Sequence, residues 1–283
     1  QLWEEYRGVL RGSEKSLGDF LPKKEYLDLA KNRGVFEKSE RSKIYPILKN
    51  FEKSLHSEDW LDQELASHVL GLELTKKISH IYVDEVQDLT ELQTRVLISR
   101  LPEEKSEFGA FDLTGDVSQQ VYPSGFRWED IGKMLHKIRG MNITPSPPLN
   151  INYRSGKNLI DLANWTLSEM DERNRISSGT ELQQAYAAND GAMPSIFVES
   201  EAQLIDRMVK SGLPKADSPV IVRDEKKVFE IKKQIDKTKD NVGQFTEGGS
   251  RSEFVFTVAQ AKGLEFSHVI LWDIGRGSNN LLK

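Results

Sequence analysis

A chain of 283 residues, 37% of them hydrophobic and 29% charged, has enough apolar material for a real core, and its length corresponds to roughly two domains. Thirty-nine basic against 44 acidic residues leave a net charge of −5, which excludes bulk basic coating of nucleic acid and leaves room for a local basic groove. The absence of cysteine rules out disulfide frameworks, thiolate zinc sites and a cysteine nucleophile, and no apolar run approaches the roughly 18 residues of a membrane span.

Residues 1–75 read as mostly helical, rich in Leu, Lys and Glu and poor in β-branched runs. Ile44, Ile47, Leu48 and Phe51 fall at helical spacing, as do Trp60, Leu61 and Leu65. At residue 78 the texture changes. Ile78, Ile81, Tyr82 and Val83 predict a short strand buried on both faces, with Asp84 and Glu85 at its carboxyl end. A helix follows, with Leu89, Leu92, Val96 and Leu97 on one face, and Asp88 and Glu91 have the spacing of a helix cap. A second strand over 108–113 ends in Gly115-Asp116. Strand, helix, strand is the pattern of a parallel α/β sheet.

Three prolines within residues 144–148 make a stiff connector, which sets a domain boundary over 144–150. The regions are then a helical accessory segment (1–75), a first domain (76–143) and a second (151–283). In the second, a helix is predicted near 156–170, strands at 195–198 and 220–222, and a charged helix over 224–238. A polar loop over 243–252 separates these from strands at 254–258 and 268–272. A first residue that is Gln1, and a loop-like end at Gly277-Ser278-Asn279-Asn280, read as a piece cut from a longer protein.

Four clusters carry candidate chemistry. Asp84-Glu85-Val86-Gln87-Asp88 stands where parallel sheets bind ligands, outside the carboxyl ends of strands. One carboxylate there can hold Mg²⁺ while its neighbour orients or deprotonates a water, although Asp88 serves equally as a helix cap. Gly115-Asp116-Val117-Ser118-Gln119 offers a tight turn, an acceptor and an amide, and also fits an ordinary Gly-Asp turn. Asn152-Tyr153-Arg154-Ser155 supplies a guanidinium that could meet a phosphate bidentately or form a surface ion pair. Ala261-Lys262-Gly263-Leu264-Glu265-Phe266 is a charged loop with a glycine turn.

In this order, Asp84–Asp88, Gly115–Gln119, Leu149–Ser155 and Thr257–Phe266 resemble motifs II, III, IV and V of superfamily 1 helicases of the UvrD/Rep type, over about residues 78–272. The chain is also similar to the UvrD-like domain of very large eukaryotic proteins with tetratricopeptide or ankyrin repeats. The resemblance implies an α/β fold of two RecA-like parallel-sheet domains, both incomplete, with ATP in the cleft between them. By motif position, Asp84 would hold Mg²⁺, with Glu85 nearby activating the attacking water. Asp116 and Gln119 would sit at the nucleotide, Gln119 sensing the γ-phosphate. Arg154 would act as an arginine finger, a role worth about 10³–10⁵ in rate. Gly263 and Glu265 would approach the nucleotide from motif V.

After motif III, Tyr122, Phe126, Arg127 and Trp128 are the nucleic-acid candidates, with Phe126 and Trp128 available to stack on bases. Lys226, Lys227, Lys232 and Lys233 read as a solvated face. The implied protein is an intracellular ATP-dependent helicase or translocase, cytoplasmic or nuclear and not membrane-bound. It would move 3′ to 5′ on single-stranded DNA rather than RNA.

The chain departs from the family pattern. It has no G-x-x-x-x-G-K-S/T phosphate loop (Walker A), and motif VI would lie beyond its last residue. The loop at 243–252 leaves no room for the large insertion of the bacterial enzymes, and Ala259 stands where motif V often has His. By itself the chain is expected to bind ATP poorly and hydrolyse it negligibly. Two other readings are a non-catalytic helicase-like scaffold, which has no need for Asp84, Glu85, Gln119 and Arg154 together, and a metal-dependent nuclease using Asp84, Glu85 and Asp88, which leaves Gln119 and Arg154 without a role.

Overall fold

The computed structural model describes residues 2–16, 20–29, 33–34, 36–57, 62–73, 75–104, 109–121, 124–143, 149–172, 184–185, 190–239 and 251–273. The chain divides into two compact units, Gln1–Met193 and Pro194–Lys283. Most of the proline connector, residues 144–148, lies outside the described residues, and residues 149–193 belong to the first unit.

The first unit opens with helices. α1 (Leu2–Glu5) runs directly into a π-helical turn, Tyr6–Arg11, followed by α2 (Lys23–Asp28), α3 (Lys38–Ser57) and α4 (Gln63–Glu73). Tyr6, Leu10, Phe20, Leu21, Tyr26, Tyr45 and Leu48 make their core. Charge is buried beside it. Arg7 Nε meets Glu64 Oε1 at 2.9 Å, and Arg11 Nη1 meets Glu52 Oε1 at 2.8 Å. A buried guanidinium left without a carboxylate is strongly destabilising, so these partners must face inward. That requirement sets the helix phases. On α3, Tyr45, Leu48 and Glu52 turn in, while Ile47 and Phe51, expected on the core stripe, are exposed. On α4, Glu64, Ser67 and His68 are buried and Val69, Leu70 and Leu72 face outward. Trp60 and Leu61 lie outside the described residues.

β1 (His80–Val83), α5 (Glu91–Arg100), β2 (Ala110–Leu113) and α6 (Trp128–Arg139) follow. β1 and β2 pair in parallel, Ile81 opposite Phe111 and Val83 opposite Leu113. Ile81 packs with Ile98 and Leu101 behind α5 and with Met134 and Leu135 of α6. Both helices cover that face only, so β1 is not buried on both sides: Tyr82 is 69% exposed. The inward face of α5 is Leu92, Thr94 and Ile98 rather than Leu92, Val96 and Leu97. Its cap is Thr90, not Asp88. Thr90 Oγ1 accepts from Gln93 N at 3.3 Å while Gln93 Oε1 accepts from Thr90 N at 2.9 Å. Asp88 instead closes a 3₁₀ turn, Val86–Asp88. β3 (Ile151–Asn152) then pairs in parallel with β4 (Gln184–Ala185), with α7 (Lys157–Glu172) between them.

The second unit contains α8 (Glu201–Lys210), β5 (Val220–Val222), α9 (Glu225–Lys239), β6 (Val255–Thr257), α10 (Val258–Ala261) and β7 (Ile270–Leu271). β5 is central and parallel to both neighbours, Ile221 lying opposite Phe256 and Leu271. Val220 and Val222 are fully buried among Ile205, Met208, Ile231, Ile235, Val255 and Trp272. The strand predicted at 195–198 is absent. No described strand pairs with that segment, and Ile196 and Val198 stand exposed. Of the loop at 243–252, residues 243–250 lie outside the described residues, and Arg251–Phe254 forms a 3₁₀ turn. The fold is thus mixed helix and strand with short parallel sheets, and among the described residues no helix is long and apolar enough to cross a membrane.

Ile231 has no solvent exposure in the second core. Ile231→Ala is expected to lower stability by about 2–5 kcal/mol. Urea unfolding followed by the fluorescence of buried Trp272 checks this, and an unchanged midpoint would contradict the packing.

Candidate functional site

The β1–β2 ladder continues past the strand ends. Thr114 N donates to Val83 O at 2.8 Å, and Val86 N to Thr114 O at 3.0 Å. The segments 84–88 and 114–119 therefore leave the same sheet edge side by side. Asp84 is exposed there. Its Oδ1 accepts from Thr114 Oγ1 at 2.7 Å and from Glu85 N at 2.9 Å. The Thr114 hydroxyl, seconded by the Glu85 amide, holds the carboxyl below the usual aspartate range. Asp84 Oδ2 makes no hydrogen bond among the described residues. Mg²⁺ is commonly held by one or two carboxylates plus phosphates and water, and an exposed, ionised Asp84 fits that demand. No group of three or more His, Cys, Asp or Glu that could cage a metal occurs among the described residues.

Glu85 is left-handed, with φ 54° and ψ 38°. A non-glycine residue there costs of order 1–3 kcal/mol and persists only when its surroundings fix it. Gln87 is the fixing group. Fully buried, it donates from Nε2 to Glu85 Oε2 and accepts at Oε1 from Asp116 N at 3.1 Å. Its backbone carbonyl accepts from Ser124 Oγ at 2.6 Å and Gln120 Nε2 at 3.3 Å. One side chain thus ties the acidic segment to the next loop. Gly115 permits this contact. A Cβ there would lie 2.3 Å from Gln87 Oε1 and 2.9 Å from Val86 Cγ1, so close approach, rather than a tight turn, requires glycine. Asp116 then organises its own turn, its Oδ1 accepting from Ser118 N at 2.9 Å and its Oδ2 from Gln119 Nε2 at 2.9 Å.

Asp84, Glu85, Asp116 and Gln119 are therefore gathered at one edge. The aromatic candidates divide. Phe126 is 8% exposed and packs with Val86 and Ile131. Its ring meets that of Trp128 edge-on, with centroids 5.1 Å apart. Trp128, 37% exposed at the start of α6, is the ring with accessible surface; Arg127 beside it is half-buried, and Tyr122 lies outside the described residues. Arg154 is exposed on a turn held by Asn152, whose Oδ1 accepts from the backbone N of both Arg154 and Ser155 at 2.9 Å. In the second unit, Thr257 and Gln260 cap α10, Gly263 is left-handed at φ 77°, and Glu265 is exposed. Sequence reasoning gave no role to Gln87, Thr114 or Ser124. The usable signal was a glycine two residues after a strand, facing a polar residue of the preceding loop.

No family model matches the chain. It is 22% identical over 298 residues to the human TPR and ankyrin repeat-containing protein 1, a match covering 96% of this chain and 10% of that protein. It is 30% identical over 119 residues to an ATP-dependent helicase/nuclease subunit of Lysinibacillus sphaericus, covering 40% of this chain and 9% of that relative. With the corresponding helicase/nuclease subunit of Exiguobacterium sibiricum it shares 27% over 187 residues, or 64% of this chain and 14% of that relative. The chain spans between 9% and 14% of the length of these curated relatives. The partial similarities support a helicase-like relationship and an enzyme ancestry.

Because the Thr114 hydroxyl is the largest cause of the lowered Asp84 titration, Thr114→Val is expected to move it up toward the ordinary value of about 3.9. A depressed carboxylate stabilises the fold above its unfolded value and loses that contribution as pH falls through the folded one. The variant should therefore be less stable than the unaltered protein at neutral pH, and that difference should shrink on acidification as the unaltered protein loses the contribution. Carboxyl-carbon NMR titration checks this, and an unmoved Asp84 would contradict the assigned cause.

Proposed function

We propose that the chain is the motif II-to-V part of a superfamily 1 motor of the UvrD/Rep type, built on two RecA-like domains. In the native protein it would couple ATP hydrolysis to 3′-to-5′ movement on single-stranded DNA. The observation carrying this reading is the joining of the Asp84–Asp88 and Gly115–Gln119 segments at one sheet edge through buried Gln87. Partial similarity to proteins named as ATP-dependent helicase/nuclease subunits supports it.

In this reading Asp84, ionised and exposed, is the group that would hold Mg²⁺. Mg²⁺ held there would supply positive charge to offset that on the phosphate oxygens. Glu85 takes the proton of the attacking water, and Gln87 fixes the carboxylate that receives it. Gln119, oriented by Asp116, hydrogen-bonds the terminal phosphate. Arg154 balances charge on that phosphate. Trp128 stacks on a base, a contact worth roughly 1–3 kcal/mol, with Phe126 as its buried support and Arg127 beside it. The nuclease reading has less support, because it leaves Gln119 and Arg154 without a role.

Glu85→Gln in the native full-length protein is expected to abolish ATP turnover stimulated by single-stranded DNA while leaving nucleotide binding intact. Phosphate release and equilibrium binding of a fluorescent ATP analogue check both halves. Turnover that survives the substitution would remove the role given to Glu85. Cleavage of DNA with Mg²⁺ in the absence of ATP would favour the nuclease instead.

A further inference from the structure

The helical segment before β1 carries no motif, yet it grips the supports of both loops. Arg7, 4% exposed, pairs with Glu64 and donates from Nη2 to the backbone carbonyl of Asp88 at 3.3 Å. Gly12 O accepts from Leu92 N at 2.7 Å, and a Cβ on Gly125 would lie 2.7 Å from Gly8 O, so backbone meets backbone at two further points. The most directed contact is made by Arg33. Its Nη1 lies 2.5 Å from Glu91 Oε1 and 2.7 Å from Asp130 Oδ2. Glu91 is the first residue of α5, the helix launched from the segment of Glu85. Asp130 stands in the first turn of α6, the helix launched from the loop of Ser124 and Phe126. Glu91 Oε2 is held in turn by Glu14 N at 3.3 Å and Ser13 Oγ at 3.4 Å.

A single guanidinium therefore bridges two carboxylates at the starts of two helices. Without it the like charges of Glu91 and Asp130 would repel across a half-buried gap. The spacing of the loops above depends on that of the helices, because Gln87 spans from Glu85 to Asp116 and its own carbonyl is held from Ser124. We propose that Arg33 is a positioning residue through which the N-terminal helical segment sets the geometry of Glu85, so that turnover depends on where that segment is held. This rests on the hydrolytic reading of Glu85; the bridge itself does not.

The test uses the native full-length protein with Arg33→Met, alone and combined with Glu91→Gln. Steady-state ATPase with single-stranded DNA gives kcat and KM, and hydrogen exchange follows the Val86 and Ser118 amides. Arg33→Met is expected to lower kcat about tenfold, the usual scale for an outer-shell support, with KM for ATP unchanged. The two amides should exchange faster, and Glu91→Gln, by removing one of the two repelling charges, should restore most of the lost rate. Arg33→Lys, which keeps the charge on a shorter, differently shaped head group, should fall between, and it decides the matter if Arg33→Met does not fold. An unchanged kcat, or a loss that Glu91→Gln does not relieve, would overturn the proposal. If the unaltered protein hydrolyses no ATP, the hydrolytic reading fails and exchange still judges the bridge: faster Val86 and Ser118 exchange in Arg33→Met supports it, and unchanged exchange refutes it.

Discussion

Gln87 has no access to water, so both ends of its carboxamide must find partners inside the protein. It finds them on two different loops. The amide nitrogen takes Glu85 and the oxygen takes the backbone of Asp116, and no side chain at position 115 could coexist with that contact. The arrangement explains how Glu85 can occupy a left-handed conformation that an isolated loop would abandon. It also explains why the acidic segment and the Asp116 turn behave as one unit, since moving either leaves a buried polar group unsatisfied.

The same logic extends below the site. The helical segment buries guanidinium and carboxylate groups where an apolar stripe is usual, and Arg7 links that network to the carbonyl of Asp88. Buried ion pairs add little net stability compared with apolar packing, but breaking one is costly. Such pairs specify a single arrangement of neighbouring elements. Here the arrangement they specify is the seating of the loops that carry the candidate chemistry.

Several features were legible because they depend on nearby residues. The short apolar runs ending at Val83, Leu113 and Val222 mark strands, and the acidic and glycine-rich segments after the first two emerge at one edge because parallel strands put their carboxyl ends together. What escaped depends on partners distant in sequence. The outward turn of Leu70 and Leu72 on α4 follows from Glu64 answering Arg7 and His68 meeting the carbonyl of Arg11. Asp88…Glu91 and Thr90…Gln93 both have cap spacing, and only the three-dimensional turn selects Thr90. Residues 195–198 carry a strand-like apolar run, Ile196-Phe197-Val198, but lack a described neighbour to pair with. The division of labour between Phe126 and Trp128 likewise rests on Val86, far from Phe126 along the chain.

The joint between the two loops can be addressed by one substitution that leaves every proposed reacting group in place. Gln87→Met in the native full-length protein removes both hydrogen bonds at similar volume, and the measurement is ATP turnover at saturating nucleotide with single-stranded DNA. The account predicts a fall in kcat of about tenfold or more with nucleotide affinity retained. A kcat equal to that of the unaltered protein would contradict it.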